Sequence, residues 1–172
     1  GVQYTWNIEI QKWTLSNSGS GNNSNEPEVT PAPTVMPASE YEIWVSSKVY
    51  LTGAMVSHNG RIFQARHYAS ENQIPGVIHN PWQEITDEWR DFNIYLTGEI
   101  VKFEGAEYTA RNWTQNQRPG LISSPWQQKT DNWISFNIYN ANDIVWHNNQ
   151  RYRAKWYSQN QNPQSSSAWE II

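Results

Sequence analysis

The sequence has no cysteine and little charge. Its 172 residues include 12 Lys and Arg and 16 Asp and Glu, so that 16% of the chain is charged and the net charge is -4. The lack of cysteine excludes disulfides, a thiol nucleophile and cysteine-based zinc sites. No apolar run is long enough for a membrane-spanning helix. Because basic residues are few, we expect neither a nucleic-acid partner nor a membrane surface.

Aromatic residues are abundant instead. The chain has 11 Trp, 9 Tyr and 4 Phe, although hydrophobic residues make up only 37% of it. Soluble domains usually contain about 45–50% apolar residues. Trp and Tyr must therefore supply much of any hydrophobic core.

The first 40 residues differ from the rest. Apolar and polar residues alternate along residues 1–16, which predicts one half-buried strand that bends or ends near Gln11–Lys12. A lone strand is not stable, so we expect a remnant strand of a preceding domain that is missing here, or a strand that pairs with a partner chain. Residues 17–40 are rich in Asn, Ser, Gly and Pro and predict a flexible linker.

The remainder of the chain repeats one pattern three times, and we expect repeats at residues 41–86, 87–130 and 131–172. Each repeat has a Trp, a Tyr six residues later, a Val, an aromatic-x-Ala strand, a further aromatic, a Pro and a closing Trp. The matching positions are Trp44/Trp89/Trp133, Tyr50/Tyr95/Tyr139, Val56/Val101/Val145, Phe63/Tyr108/Tyr152, Ala65/Ala110/Ala154, Tyr68/Trp113/Tyr157, Pro75/Pro119/Pro163 and Trp82/Trp126/Trp169.

Each repeat predicts β structure. In the first repeat, Asn59-Gly60 separates Met55-Val-Ser-His58 from Arg61-Ile-Phe-Gln-Ala-Arg66, as in a hairpin with a type I′ turn. Glu104-Gly105 and Asn148-Asn149 occupy the same place in the other two repeats. The predicted fold is all-β, with three tandem small antiparallel-sheet modules. A single β-trefoil is the alternative, and we favour separate modules because each repeat has its own bracketing Trp pair.

Strand alternation divides the aromatics into two groups. Nine are expected in the core, namely the bracketing Trp pairs and Phe63/Tyr108/Tyr152. A second set lies five residues after these central aromatics, so that strand alternation directs it to the opposite face: Tyr68/Trp113/Tyr157. A third set lies just before a turn: Tyr50/Tyr95/Tyr139. Both sets are expected to lie outside the core. Exposed aromatics retained in all three repeats predict ligand contact. Flat rings with amides nearby suit a pyranose, and nearly neutral repeats suit a neutral polysaccharide.

The segment after the central strand carries a family resemblance. Ala65-Arg-His-Tyr68, Ala110-Arg-Asn-Trp-Thr-Gln115 and Ala154-Lys-Trp-Tyr-Ser-Gln159 resemble the Ala-Lys-Trp-Trp-Thr-Gln segment of the chitin-binding carbohydrate-binding modules of families 5 and 12. The resemblance implies compact β modules with a three-stranded antiparallel sheet. It also implies that the ligand-binding residues are Tyr50, His67, Tyr68, Tyr95, Trp113, Tyr139, Trp156 and Tyr157.

The chemistry of catalysis is not evident in the repeats. No carboxylate recurs at one register in all three, and the four His have no metal-ligand spacing. We therefore expect no catalytic residue, metal site or cofactor. The predicted function is multivalent, non-catalytic attachment to chitin or another N-acetylglucosamine-containing polysaccharide, as the C-terminal part of a secreted polysaccharide-active enzyme. The alternative is an adhesin, or a phage or cell-surface segment, that recognises a host glycan.

Overall fold

The computed structural model describes residues 3–7, 12–16 and 37–172. The predicted linker lies outside this part of the chain except for residues 37–40, where Ala38–Glu40 form a short 3-10 helix. All other elements in the described residues are β-strands, which confirms the all-β class. Among the described residues, no helix has the length and apolar character needed to cross a membrane.

The first sixteen residues contain two strands where one was predicted. Strands β1 (Gln3–Asn7) and β2 (Lys12–Ser16) pair with each other in antiparallel register. In the sequence, the apolar residues fall at even positions up to Ile10 and at odd positions from Trp13, a change that we interpreted as a bend. Strand β2 begins at Lys12, where this change occurs. The prediction of a single strand is therefore wrong, and each strand finds its partner within the same segment.

Each repeat, called here the first, second or third unit, contains a three-stranded antiparallel sheet. The second strand of the hairpin lies in the centre, and the strand that begins with the closing Trp lies at one edge. The sheets consist of β3 (Met55–His58), β4 (Arg61–Ala65) and β5 (Trp82–Glu84), of β7 (Ile100–Phe103), β8 (Ala106–Ala110) and β10 (Trp126–Gln128), and of β12 (Ile144–His147), β13 (Gln150–Ala154) and β15 (Trp169–Ile171).

A second, smaller pairing joins the segments that precede and follow the hairpin of each unit. In the second unit β6 (Ile94–Tyr95) pairs with β9 (Thr114–Gln115), and in the third β11 (Ile138–Tyr139) pairs with β14 (Ser158–Gln159). In the first unit a single antiparallel bridge between Tyr50 and Ala69 takes this place. The described sheets do not join into a closed barrel, so the trefoil alternative is wrong.

The hairpin turns have the predicted backbone. Both central residues of a type I′ turn need positive φ. Asn59 and Gly60 have φ of 51° and 74°, and Glu104 and Gly105 have 49° and 79°. In the third unit Asn148 and Asn149 have 48° and 62°, so the type I′ prediction is confirmed in all three units.

Each sheet covers its own hydrophobic cluster. The buried residues of the second cluster are Tyr95, Val101, Tyr108, Ala110 and Trp126, and the other units bury the matching residues. Of the nine aromatics expected in the core, six are buried: Phe63, Tyr108, Tyr152, Trp82, Trp126 and Trp169. The remaining three, Trp44, Trp89 and Trp133, are partly buried and pack against the cluster margins.

The closing tryptophans also form hydrogen bonds. The indole N–H groups of Trp82, Trp126 and Trp169 donate to the carbonyl oxygens of Gln73, Gln117 and Gln161 at 2.7, 2.7 and 2.9 Å. Buried indoles usually need such a partner for the N–H group. These bonds tie the loop that precedes each edge strand to the core.

Consecutive units dock through a buried asparagine. The Asn93 side chain donates to the carbonyl of Glu84 at 3.1 Å and accepts from its N–H at 2.9 Å. Asn137 makes the same two bonds to Gln128 at 3.0 and 2.9 Å. Both asparagines are only 1% exposed. We call these contacts the asparagine clamps, and each joins a unit to the edge strand of the unit before it.

An aromatic contact accompanies each clamp. Phe92 of the second unit meets Phe63 of the first with ring centroids 6.2 Å apart, and Phe136 of the third stacks on Tyr108 of the second at 6.2 Å. The first unit has Ser47-Lys48-Val49 where the others have Phe-Asn-Ile. The units are therefore packed end to end through direct contacts.

We predict that Asn137→Ala lowers the free energy of unfolding by about 2 kcal/mol, because it leaves partly buried main-chain groups of Gln128 without their partners. Urea unfolding followed by Trp fluorescence measures this change. Asn140→Ala, at an exposed position three residues away, is the control and should change it by less than about 0.5 kcal/mol. Equal stabilities for both variants would show that the clamp contributes nothing.

A chain truncated after residue 130 is expected to keep the first two sheets folded, because all buried members of their two clusters lie before that residue. Its melting temperature should fall, since Tyr108 loses the Phe136 ring. Near-ultraviolet circular dichroism and a thermal melt test this expectation. Loss of all tertiary signal would contradict it and would mean that the three units fold as one body.

Candidate functional site

An exposed aromatic side chain follows the central strand of every sheet. Tyr68, Trp113 and Tyr157 are 52%, 57% and 57% exposed. They follow strands that end at the buried residues Ala65, Ala110 and Ala154 and precede the buried residues Ala69, Thr114 and Ser158. Since buried residues anchor both sides of each bend, the ring between them must face outward. The predicted exposure of this set is confirmed.

The residue before each of these rings is also exposed. In the third unit it is Trp156, which is 48% exposed and has the ammonium of Lys155 4.8 Å from its ring centroid. In the first and second units it is His67 and Asn112. We call each exposed pair a platform, and the platforms are His67–Tyr68, Asn112–Trp113 and Trp156–Tyr157. The third platform alone has two large aromatic rings.

The other predicted set of ligand-binding aromatics lies in the core. Tyr50, Tyr95 and Tyr139 are only 3%, 4% and 5% exposed. Each ring meets the closing Trp of its unit edge-on at 5.1–5.2 Å. The expectation that these rings lie outside the core is therefore wrong, and they cannot offer a flat face to a ligand in this structure.

The hydroxyl groups give the physical reason for this burial. The phenol oxygens accept hydrogen bonds from the main-chain N–H groups of Val45, Arg90 and Ile134, at 2.7, 2.6 and 2.6 Å. Each bond closes the loop between the first Trp and the Tyr of a unit. The sequence contains a signal for this role, because a stacking ring can be Tyr, Trp or Phe, whereas all three units have Tyr here.

Side-chain amides brace two of the platforms and were missed by the sequence analysis. The Gln115 amide donates to the carbonyl of Phe92 at 2.8 Å. The Gln159 amide donates to the carbonyls of Phe136, at 2.9 Å, and of Ile122 in the second unit, at 2.8 Å. Each platform segment is thus tied to the start of its own unit, and the third is also tied to the second unit. The repeated Thr-Gln and Ser-Gln pairs after the aromatics were the available signal.

The geometry limits what the platforms can do chemically. Their large side chains offer aromatic faces, and the amide of Asn112 and the ammonium of Lys155 lie next to those faces along the chain. Among the described residues, no group of three or more His, Asp or Glu side chains is arranged to hold a metal ion. Such surfaces bind by stacking and by hydrogen bonding.

The comparison with known families agrees with this chemistry for the second unit. Residues 88–127 match the carbohydrate-binding module family 5/12. The matched segment includes the buried Tyr95, the exposed Trp113 and the closing Trp126. No curated protein sequence matches the chain significantly. The second unit is therefore similar to a carbohydrate-binding module.

Burial also perturbs the ionisation of the core tyrosines. Burial raises the pKa of Tyr95 to about 12, and it raises the pKa of Tyr139 in the same way. A phenol in the unfolded chain has a pKa of about 10. Above that pH the unfolded chain loses its protons first, so the folded state becomes relatively less stable as the pH rises.

We predict that the stability advantage of the wild-type chain over Tyr95→Phe narrows as the pH rises above 10. The narrowing should approach about 1.4 kcal/mol per pH unit. Urea unfolding of both proteins from pH 7 to 11.5 measures the difference, which should stay constant below pH 9. A difference that remains constant across the whole range would contradict the burial of the Tyr95 hydroxyl.

Proposed function

We propose that the chain attaches to chitin or another N-acetylglucosamine-containing polysaccharide through the three platforms. The observation that carries the proposal is the exposure of a large ring at the same register in each unit, between two buried anchors. Folding does not require a Trp or Tyr at such a position, whereas a sugar ring can pack on it. The family match of the second unit supports the same conclusion.

The charge of the units favours a neutral ligand. Residues 41–86 have three basic and three acidic side chains, and residues 131–172 also have three of each. Residues 87–130 have five basic and six acidic side chains. A polyanion such as a nucleic acid would need a basic groove instead. Neutral pyranoses stack their axial C–H groups on the rings, and their hydroxyl or acetamide groups bond to neighbouring amides.

Docking of the units supports a multivalent mechanism. In this proposal the modules are residues 41–86, 87–130 and 131–172, each with one platform. Because the asparagine clamps fix consecutive units to each other, binding at one platform holds the others in a set orientation. Linked weak sites gain avidity of about 10²–10⁴ when they reach the same surface. We further propose that the segment lies outside the cell and serves a polysaccharide-active enzyme.

A second candidate function is recognition of a host glycan by an adhesin or by a phage or cell-surface protein. The observation that favours it is the presence of His67 and Asn112 where the third platform has Trp156. With one large ring each, the first two platforms offer less stacking surface to a crystalline polysaccharide. A shorter, soluble glycan chain would need less of it.

We predict that Trp156→Ala combined with Tyr157→Ala weakens binding to insoluble chitin by about tenfold, the equivalent of about 1.4 kcal/mol. The melting temperature should stay within about 2 °C of wild type, because both side chains are exposed. A pull-down isotherm and a thermal melt measure the two effects. Trp146→Ala, which removes a 45% exposed Trp from strand β12 of the same unit, is the control and should bind as wild type does.

Three outcomes distinguish the candidates. Equal losses for the platform variant and for Trp146→Ala would mean that any exposed Trp adheres to chitin. A large drop in the melting temperature would assign the platform residues to the core. If the wild-type chain binds mucin glycans but neither chitin nor cellulose, the host-glycan function replaces the first proposal.

A further inference from the structure

A cavity of about 220 Å³ opens beside the hairpin turn of the first unit. Its lining residues are His58, Asn59, Arg61, Phe63, Pro75 and Gly76. The cavity lies at the start of strand β4, whereas the platform residue Tyr68 follows the end of that strand. Four residues of β-strand span about 13 Å, so the cavity is separate from the first platform.

In the other two units, side chains meet across the same position. In the second unit the guanidinium of Arg118 lies 5.0 Å from the Phe103 ring centroid and forms an ion pair with Glu104 at 2.6 Å. In the third, the Asn148 amide donates to Gln164 at 3.0 Å across the loop. The first unit has Ile74 where the second has Arg118, and its side chain cannot make an ion pair. Divergence between the repeats has thus removed these contacts from the first unit.

The wall of the cavity has an excess of positive charge. Glu84 is buried and accepts hydrogen bonds from Arg90, at 2.9 Å to Nε, and from Arg61 Nη1 at 3.3 Å. Two guanidinium groups therefore share one carboxylate. The Arg61 side chain is 53% exposed and lines the cavity, so it can donate to an anionic ligand while Arg90 continues to neutralise Glu84.

The rest of the lining lies at and below the hairpin turn. The His58 ring packs edge-on against Trp44 and Phe63 at 5.0 and 6.4 Å, and Phe63, which is 1% exposed, and the buried Pro75 close the floor of the cavity. Asn59 adds a side-chain amide at the turn. The volume is below the roughly 300–1,000 Å³ of pockets for drug-sized ligands, so the cavity fits one monosaccharide.

We propose that this cavity binds a single carboxylate-bearing pyranose, such as a terminal uronic acid residue of an acidic glycan. Arg61 donates to the carboxylate, and the Asn59 amide and the His58 imidazole bond to hydroxyl groups. This site goes beyond attachment to a neutral polysaccharide, because it involves no platform residue and has the opposite preference for charge.

The test uses the full chain and two small probes, methyl glucuronide and methyl glucoside, which differ only at the sixth carbon. A two-dimensional NMR titration follows the amide signals of Asn59, Gly60 and Gly76 and the Arg61 Nε signal. We expect glucuronide to bind at least about tenfold more tightly than glucoside, because a charge-assisted hydrogen bond is added. Added salt should weaken glucuronide binding.

Two variants locate the site. Arg61→Gln should abolish the preference for glucuronide, whereas Arg151→Gln, which removes the same charge from an exposed position of the third unit, should preserve it. Ile74→Arg combined with Asn59→Glu copies the Arg118–Glu104 pair and should fill the cavity. The turn accepts this Glu, because Asn59 and Glu104 have φ of 51° and 49°. The filling variant retains the Arg61–Glu84 pair and therefore decides the matter if Arg61→Gln does not fold.

Several results would overturn the proposal. One is equal affinity for the two probes, and another is glucuronide binding that persists in the variant with the filled cavity. A third is displacement of bound glucuronide by inorganic phosphate at the same concentration, which would mean a simple anion site. Chitin binding by the filling variant is measured separately. It should be unchanged, so failure of this proposal and failure of the platform function give different patterns.

Discussion

The burial of one closing tryptophan per unit is the constraint on which the rest of the structure depends. A unit of about 44 residues has little apolar surface to bury, and the chain has no cysteine to cross-link it. Trp126 compensates with a fully buried indole that donates to Gln117 at 2.7 Å and meets the Tyr95 ring at 5.1 Å. The first contact fixes the loop before strand β10. The second fixes the tyrosine whose hydroxyl holds the N–H of Arg90.

The exposed platforms follow from that core. Trp113 lies between Ala110 and Thr114, both of which are buried, and Gln115 ties the next strand to the carbonyl of Phe92. The backbone that presents the ring is therefore fixed before any ligand arrives. A preorganised ring loses less conformational entropy on binding than a ring on a free loop. The rigid core thus contributes to affinity without touching the ligand.

Sequence reasoning predicted what depends on local pattern and missed what depends on tertiary contacts. The alternation of side chains along strand β8 was sufficient to place Tyr108 in the core. Pairs of consecutive residues that tolerate positive φ were sufficient to place the turns. Strand alternation does not predict the orientation of the Tyr95 side chain, because this residue lies outside the hairpin. Its orientation depends on the hydrogen bond that its hydroxyl accepts from the N–H of Arg90. Asn93 was missed for a similar reason. Its partners are the main-chain groups of another unit, and no local pattern encodes them.

The asparagine clamps also explain how the repeats could diverge in chemistry while keeping one architecture. Asn93 and Asn137 bond to main-chain groups of Glu84 and Gln128, so docking does not depend on the side chain at that position of the edge strand. A carboxylate or an amide can occupy it with the same junction. In the first junction this side chain is the carboxylate of Glu84, which forms ion pairs with Arg61 and Arg90. Because docking uses main-chain groups, this position of the edge strand can hold Glu84 in the first unit, whereas the other units have the uncharged Gln128 and Ile171.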